Sequence, residues 1–234
     1  MSKVIGVMSF KGGVGKSVSA INLAAGLAKL GRKVVVVDGN FLSPNLHLYL
    51  GLLKPQKTLK EVIRDKVDFR NAIYEHSSGV HLLPCSFYKG VDFDRFGEVI
   101  GELRVMYDYV VIDSGPSYTD EVIAILMVCD ELIFVATPDY PTLAATVRLS
   151  KFAKFKDIKI LGVLLNRVRK KRFEVGWRDV EKTVGARVIG EIREDVRMIK
   201  AVKRFDCVVG DMWSSSGKGF LKLARKIDSG LLYS

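Results

Sequence analysis

Seven residues near the N-terminus have the types and spacing of an anion cradle: Lys11-Gly12-Gly13-Val14-Gly15-Lys16-Ser17. An apolar run, Val4–Ser9, precedes them, and a segment of helical periodicity, Ser17–Leu30, follows. Glycines let the chain turn tightly and bring backbone N–H groups close to phosphate oxygens. The start of the next helix adds the positive end of its dipole. Read as G-x-x-x-x-G-K-[ST], the loop runs from Phe10 to Ser17, with Phe10 where glycine is usual. In such a loop Lys16 reaches the β- and γ-phosphates, and the Ser17 hydroxyl binds Mg²⁺. Val18 continues the cradle into the helix.

Two carboxylates close apolar runs further along. Val34–Asp38 ends in Asp38-Gly39-Asn40, and Tyr109–Asp113 ends in Asp113-Ser114-Gly115-Pro116. At Asp113, a carboxylate closing a buried strand beside a phosphate loop can hold Mg²⁺ directly or through water. The plainer alternative for Asp113 is a cap on the following turn. Asn166-Arg167 follows a third run, Ile158–Leu165. Read from position alone, such an Asn simply starts a loop.

These residues need a frame that brings them to one place. The apolar runs Val4–Ser9, Val34–Asp38, Val80–Pro84, Tyr109–Asp113, Leu132–Ala136 and Ile158–Leu165 are rich in Val and Ile. Several are apolar on both faces, as buried parallel strands are. Between them lie helical segments at Ser17–Leu30, Asp92–Tyr107, Thr119–Val128 and Pro141–Phe155, and a last helix is expected at about 216–229. This alternation predicts one α/β domain over 1–234: a doubly wound, mostly parallel sheet of about 7–8 strands with helices on both faces. In such sheets ligands bind beyond the carboxyl ends of the strands, where every motif above lies.

Composition narrows the partners. The net charge is +11, and it is uneven. Residues 1–147 carry 15 Lys+Arg and 16 Asp+Glu, whereas residues 148–234 carry 22 and 10. The basic half suits nucleic acid or anionic headgroups, or simply a lysine-rich soluble surface. Cys85, Cys129 and Cys207 are far apart with no C-x-x-C. They read as buried thiols of a reducing cytoplasm rather than as a zinc or disulfide framework. The sequence starts without a signal-peptide pattern, and no apolar run is long enough to span a bilayer.

Lys11-Gly-Gly-Val-Gly-Lys16-Ser17 resembles the deviant Walker A motif of the MinD/ParA family of ATPases, with Lys11 at the place of the family's extra signature lysine. The resemblance covers nearly the whole chain, Met1 to about Ile227, and Asp38 through Asn45-Leu46-x-Leu48-x-Leu50-Gly51 is closer to the MinD branch. It implies an ATP- and Mg²⁺-dependent homodimer in which each Lys11 reaches the partner's phosphates. It also implies metal-site roles for Ser17, Asp38 and Asp113, and an adenine contact for Asn166-Arg167. The family usually reads D-x-D where this chain has Asp38-Gly39-Asn40. An amide can hold a water but cannot take its proton, so slow or impaired hydrolysis is expected. Arg193 stands where the family's adenine-side loop usually begins with proline.

The resemblance further implies a positioning switch in the cytoplasm, at the membrane or nucleoid periphery, with an activating protein partner. A MinD-like protein would contact anionic membrane through the basic, amphipathic Gly219–Leu232 tail, although in this fold the last helix usually packs on the sheet instead. A ParA-like one would bind DNA nonspecifically through Arg167–Phe173, with Lys200, Lys203 and Arg204 nearby.

Overall fold

The computed structural model describes residues 2–116 and 119–232. Eight strands form a single sheet in the order β3-β4-β2-β5-β1-β6-β7-β8. They are β1 (Lys3–Met8), β2 (Val34–Gly39), β3 (Tyr74–Glu75), β4 (His81–Leu83), β5 (Tyr109–Ser114), β6 (Glu131–Ala136), β7 (Lys159–Val168) and β8 (Val188–Arg193). All neighbours pair in parallel except β3 with β4.

The helices are α1 (Lys16–Lys29), α2 (Leu46–Tyr49), α3 (Leu59–Ile63), α4 (Phe93–Met106), α5 (Asp120–Val128), α6 (Tyr140–Phe155), α7 (Trp177–Val184), α8 (Val196–Lys203) and α9 (Ser215–Asp228). Alternate valines of β2 assign the two layers. Val35 and Val37 face α3 to α7, whereas Val34 and Val36 face α1 and α9. That is the period-2 consequence of a strand buried on both sides.

Four helices begin where the sequence provides a cap. Asp92, Asp139, Asp195 and Ser214 each accept a backbone N–H from the first turn of α4, α6, α8 and α9. Asp195 does more. Its carboxylate also accepts from the Ser214 hydroxyl at 2.6 Å, the Ser215 hydroxyl at 3.2 Å and the Ser216 amide at 3.2 Å. Burial opposes its ionisation, but these donors outweigh burial and hold its pKa well below the usual carboxylate range.

The last helix spans 215–228, against the expected 216–229. Its apolar stripe, Phe220, Leu223, Ala224 and Ile227, is buried against α1. The approach is close at Gly26, where a Cβ would come within 2.9 Å of the Ala224 Cβ. Lifting Phe220, Leu223 and Ile227 off α1 would give up roughly 5–9 kcal/mol of burial, which contact with lipid would have to restore. The last helix thus packs on the sheet, and the apolar residues that a membrane contact would use lie in the core. Tyr233 and Ser234, beyond this tail, lie outside the described residues.

The other departures are local. β7 runs three residues past the expected Leu165, because Val168 still pairs with Arg193 of β8. Asn166 therefore sits inside a strand, and the basic loop begins only at Arg169. A bulge between Leu165 and Val168 puts Arg167 at φ 56. Ile192 and Arg193, expected in a loop, close β8.

Candidate functional site at the carboxyl edge of the sheet

The segment expected to cradle phosphate forms a loop between β1 and α1. Gly13 (φ 79) and Gly15 (φ 89) both adopt the left-handed conformation, which only glycine enters without penalty. Gly15 is also closely packed, since a Cβ there would lie 2.2 Å from the Asn166 Nδ2. Around Gly12 and Gly13 the reverse holds: a Cβ on either would meet nothing within 4 Å. The loop is thus clamped on one side and open on the other. The open side faces a cavity of about 290 Å³ lined by Lys11 to Val18, Asn40, Ser43, Asn45, Tyr49, Pro116 and Arg167.

Asp38 and Asp113 stand side by side as a buried floor beneath Lys16, paired across β2 and β5, and neither reaches the cavity surface. Asp38 accepts from the Asn40 amide at 3.1 Å, the Asn45 amide at 3.0 Å and the Leu46 amide at 2.9 Å. Burial, followed by the charge of Asp113, still pushes its pKa up to about 7. Asp113 Oδ1 takes the Lys16 ammonium at 2.7 Å, and Lys16 also donates to the Ser114 carbonyl. The other oxygen, Asp113 Oδ2, is buried and has no hydrogen-bond partner.

An orphaned carboxylate oxygen beside a second carboxylate fits a hard divalent cation. No group of three or more His, Cys, Asp or Glu gathers among the described residues. That suits Mg²⁺, which is usually held by one or two carboxylates with water and phosphate rather than by an all-protein cage. Ser17, at the start of α1 and on the same cavity, would supply the hydroxyl. The donor set fits Mg²⁺, and the open glycines fit a phosphate chain.

The remaining predicted residues arrange themselves differently. Asn40 is buried, and its amide nitrogen donates to the Ser43 carbonyl at 2.5 Å. Asn166 donates its amide nitrogen to the Val14 carbonyl at 2.7 Å, so it pins the loop directly. Arg167 lines the cavity from the bulge of β7. Lys11 lies at the rim, about four-tenths exposed, with its ammonium 3.3 Å from Asp139 Oδ1 and 3.0 Å from the Thr142 hydroxyl. Burial works against ionisation of Asp139. Hydrogen bonds from Thr137, the Thr142 amide and hydroxyl, and Lys11 prevail, and the pKa lies below normal.

No motif in the sequence points to Asp139 as the residue that holds Lys11. Nor do the motifs single out Ser43, Asn45 and Tyr49 as cavity lining, although the first two flank Pro44 just after Asp38. Polar residues within eight positions of a strand-end carboxylate were the available signal.

Residues 5–208 match the model of the CobQ/CobB/MinD/ParA nucleotide binding domain. The chain belongs to this family. A nucleotide-binding cradle is what the glycine loop, the paired carboxylates and the open cavity make physically. Within the CobQ/CobB/MinD/ParA family, an uncharacterized ATP-binding protein of Methanocaldococcus jannaschii is 34% identical over 229 residues, covering 96% of this chain and 87% of that protein. The cell division ATPase MinD of Pyrococcus furiosus superposes with a TM-score of 0.90 at 28% identity, over 98% of this chain and 99% of the other. The septum site-determining protein MinD of Pyrococcus horikoshii, solved with Mg-ADP, also gives 0.90, at 27% identity and 99% coverage of both chains.

Proposed function

We propose that this chain is a Mg-ATP-dependent ATPase of the MinD/ParA type, a switch that pairs with a second copy when ATP is bound and hydrolyses it slowly. The carrying observation is the meeting of two differently held lysines, Lys16 and Lys11, at one open glycine-lined cavity, with the paired carboxylates Asp38 and Asp113 buried behind Lys16. The likeness to MinD proteins, one of them solved with Mg-ADP, supports the same reading.

The loop amides orient the phosphates, and Lys16 transfers its ammonium from Asp113 to the β- and γ-oxygens. Asp113, so freed, would hold Mg²⁺ together with Asp38 and Ser17, and the ion would supply charge neutralisation for phosphoryl transfer. Lys11 leaves Asp139 and Thr142 and reaches the phosphates of the partner copy, where a cation stabilises the transition state. Asn40 holds the attacking water by hydrogen bonds and accepts no proton. Asn166 and Arg167 border the base.

Two measurements test this. Size-exclusion chromatography with Mg-ATP should give a dimer for the native chain and a monomer for Lys11→Ala, which still binds nucleotide. An ATP-dependent Lys11→Ala dimer would remove the trans-acting lysine. In single-turnover hydrolysis, Asn40→Asp should gain about 10²-fold, the usual worth of a positioned general base. No gain would place Asn40 away from the water.

The switch would act in the cytoplasm, positioning cell-division or other machinery under an activating protein. For the surface it works on, DNA has the more specific support. Arg169 is paired with Glu194, but Lys170, Lys171 and Arg172 stand exposed on the adjoining loop. ATP-dependent binding to random duplex that falls steeply with salt would bear this out. Binding to anionic liposomes instead would favour the membrane.

A further inference from the structure

The chain as a whole is strongly basic, yet one face is not. Between residues 92 and 128 the only basic residues are Arg95 and Arg104. Arg95 is held by Asp65, Glu98 and Glu102, and Arg104 by Asp130. Asp92, Asp94, Glu98, Glu102 and Asp120 stand exposed around them.

Within this acidic face α4 and α5 splay apart over a groove of about 490 Å³, lined by Phe93, Asp94, Gly97, Asp120, Ile123 and Met127. Its walls are apolar and outward-facing: Met127 is 67% exposed and Phe93 39%. Gly97 and Gly101 succeed Phe93 at four-residue steps, so the three share one stripe of α4, with Val105 (88% exposed) next along it. Packing within the chain does not ask for these glycines. A Cβ on Gly101 would meet nothing within 4 Å, and one on Gly97 only Val128 at 3.9 Å. Each weakens α4 relative to alanine. What they leave is room for another backbone to approach.

We propose that the α4–α5 groove is the docking site for a basic amphipathic helix of a partner protein. The charge selects this occupant. Nucleic acid and anionic lipid are repelled by the acidic rim, and a second copy presenting the same face would set carboxylate against carboxylate. A helix with apolar residues at i, i+3, i+4 and i+7 fills the groove, and lysines on its flanks meet Asp94 and Asp120. This surface lies apart from the phosphate cavity and does not depend on the nucleotide reading.

The test uses the full-length chain without nucleotide. The probe is a fluorescein-labelled synthetic peptide of about five helical turns, built of Leu and Lys in helical period. A Leu/Glu counterpart serves as control, and the readout is anisotropy. The Leu/Lys peptide should bind and the Leu/Glu peptide should not. Net charge cannot explain that outcome, because a +11 chain repels a cationic peptide on average.

Gly97→Leu, Gly101→Leu and the pair Asp94→Lys with Asp120→Lys should each weaken binding by about tenfold or more, the scale of a blocked hot spot. Gly101→Ala guards against misfolding: it should raise Tm while lowering affinity, a pairing of effects that a purely structural role for the glycine does not produce. Binding unaltered in these variants, equal binding of both peptides, or none of the Leu/Lys peptide would overturn the proposal. So would concentration-dependent self-association of the chain that the same variants abolish, since that would give the groove to a second copy.

Discussion

Lys11 and Lys16 sit five residues apart on one loop, and each is paired with an aspartate, but the pairs are built to opposite ends. Lys16 is 8% exposed and bound to a fully buried Asp113, whereas Lys11 and Asp139 are each about four-tenths exposed. Removing one partner of a buried pair strands a charge in low dielectric, while an exposed pair is screened by water. The first lysine is therefore structural until a competing anion replaces Asp113. The second is held only lightly. Asp139 stays ionised mainly through its threonine neighbours, so it needs no replacement partner when Lys11 departs.

Breaking the buried side should have the largest effect. Lys16→Ala is expected to lower unfolding stability by about 3–5 kcal/mol in urea titrations, because Asp113 is left uncompensated. Adding Asp113→Asn should recover part of that loss. If the two single losses simply added, the pair would not be coupled.

A smaller effect sharpens the same floor. Asp38 carries a folded pKa of about 7, above its ordinary 3.8, so the folded chain binds the extra proton between those values. The sign follows: this contribution to stability is present at low pH and is lost as pH rises toward and through 7. Between pH 5 and 8 the Tm without Mg²⁺ should fall, and Asp38→Asn should flatten the slope whatever its absolute Tm. An unchanged slope in Asp38→Asn would mean that Asp38 is ionised across that range.

The smallest effect belongs to the exposed pair. Asp139→Asn, which keeps the amide-accepting oxygen of the α6 cap, should cost no more than about 1 kcal/mol from the lost ion pair. If Asp139 restrains Lys11, the same variant should dimerise at lower ATP concentration in analytical ultracentrifugation. Unfolding as severe as that of Lys16→Ala would erase the contrast between the two lysines.

Much of this was legible in sequence for a physical reason. The six apolar runs mark strands buried on both faces, where composition alone is decisive. The glycine loop and both strand-end aspartates carry signals fixed by backbone geometry. β8 was harder to read, because a strand at the sheet edge mixes Gly190, Glu191 and Arg193 with its apolar residues, and β3 has only two residues. The Lys11–Asp139 contact joins positions 128 apart, and no local pattern announces such a pair. Asn166 was expected to face a base, and in the fold its amide nitrogen is bound to Val14, which only the packing of β7 against the loop reveals. The groove between α4 and α5 was invisible for the same reason: Gly97 and Gly101 read as ordinary helix-weakening residues until the space above them is known.

Asp195 has a mechanical consequence. One carboxylate gathers the first turn of α8 and three successive serines at the head of α9, two residues beyond the end of β8. It acts as a rivet, so these pieces shift as one body. Because α9 packs against α1 and its Ser216 bonds the Arg193 carbonyl, an unbroken chain of contacts runs from the end of β8 to the helix that starts at the phosphate loop.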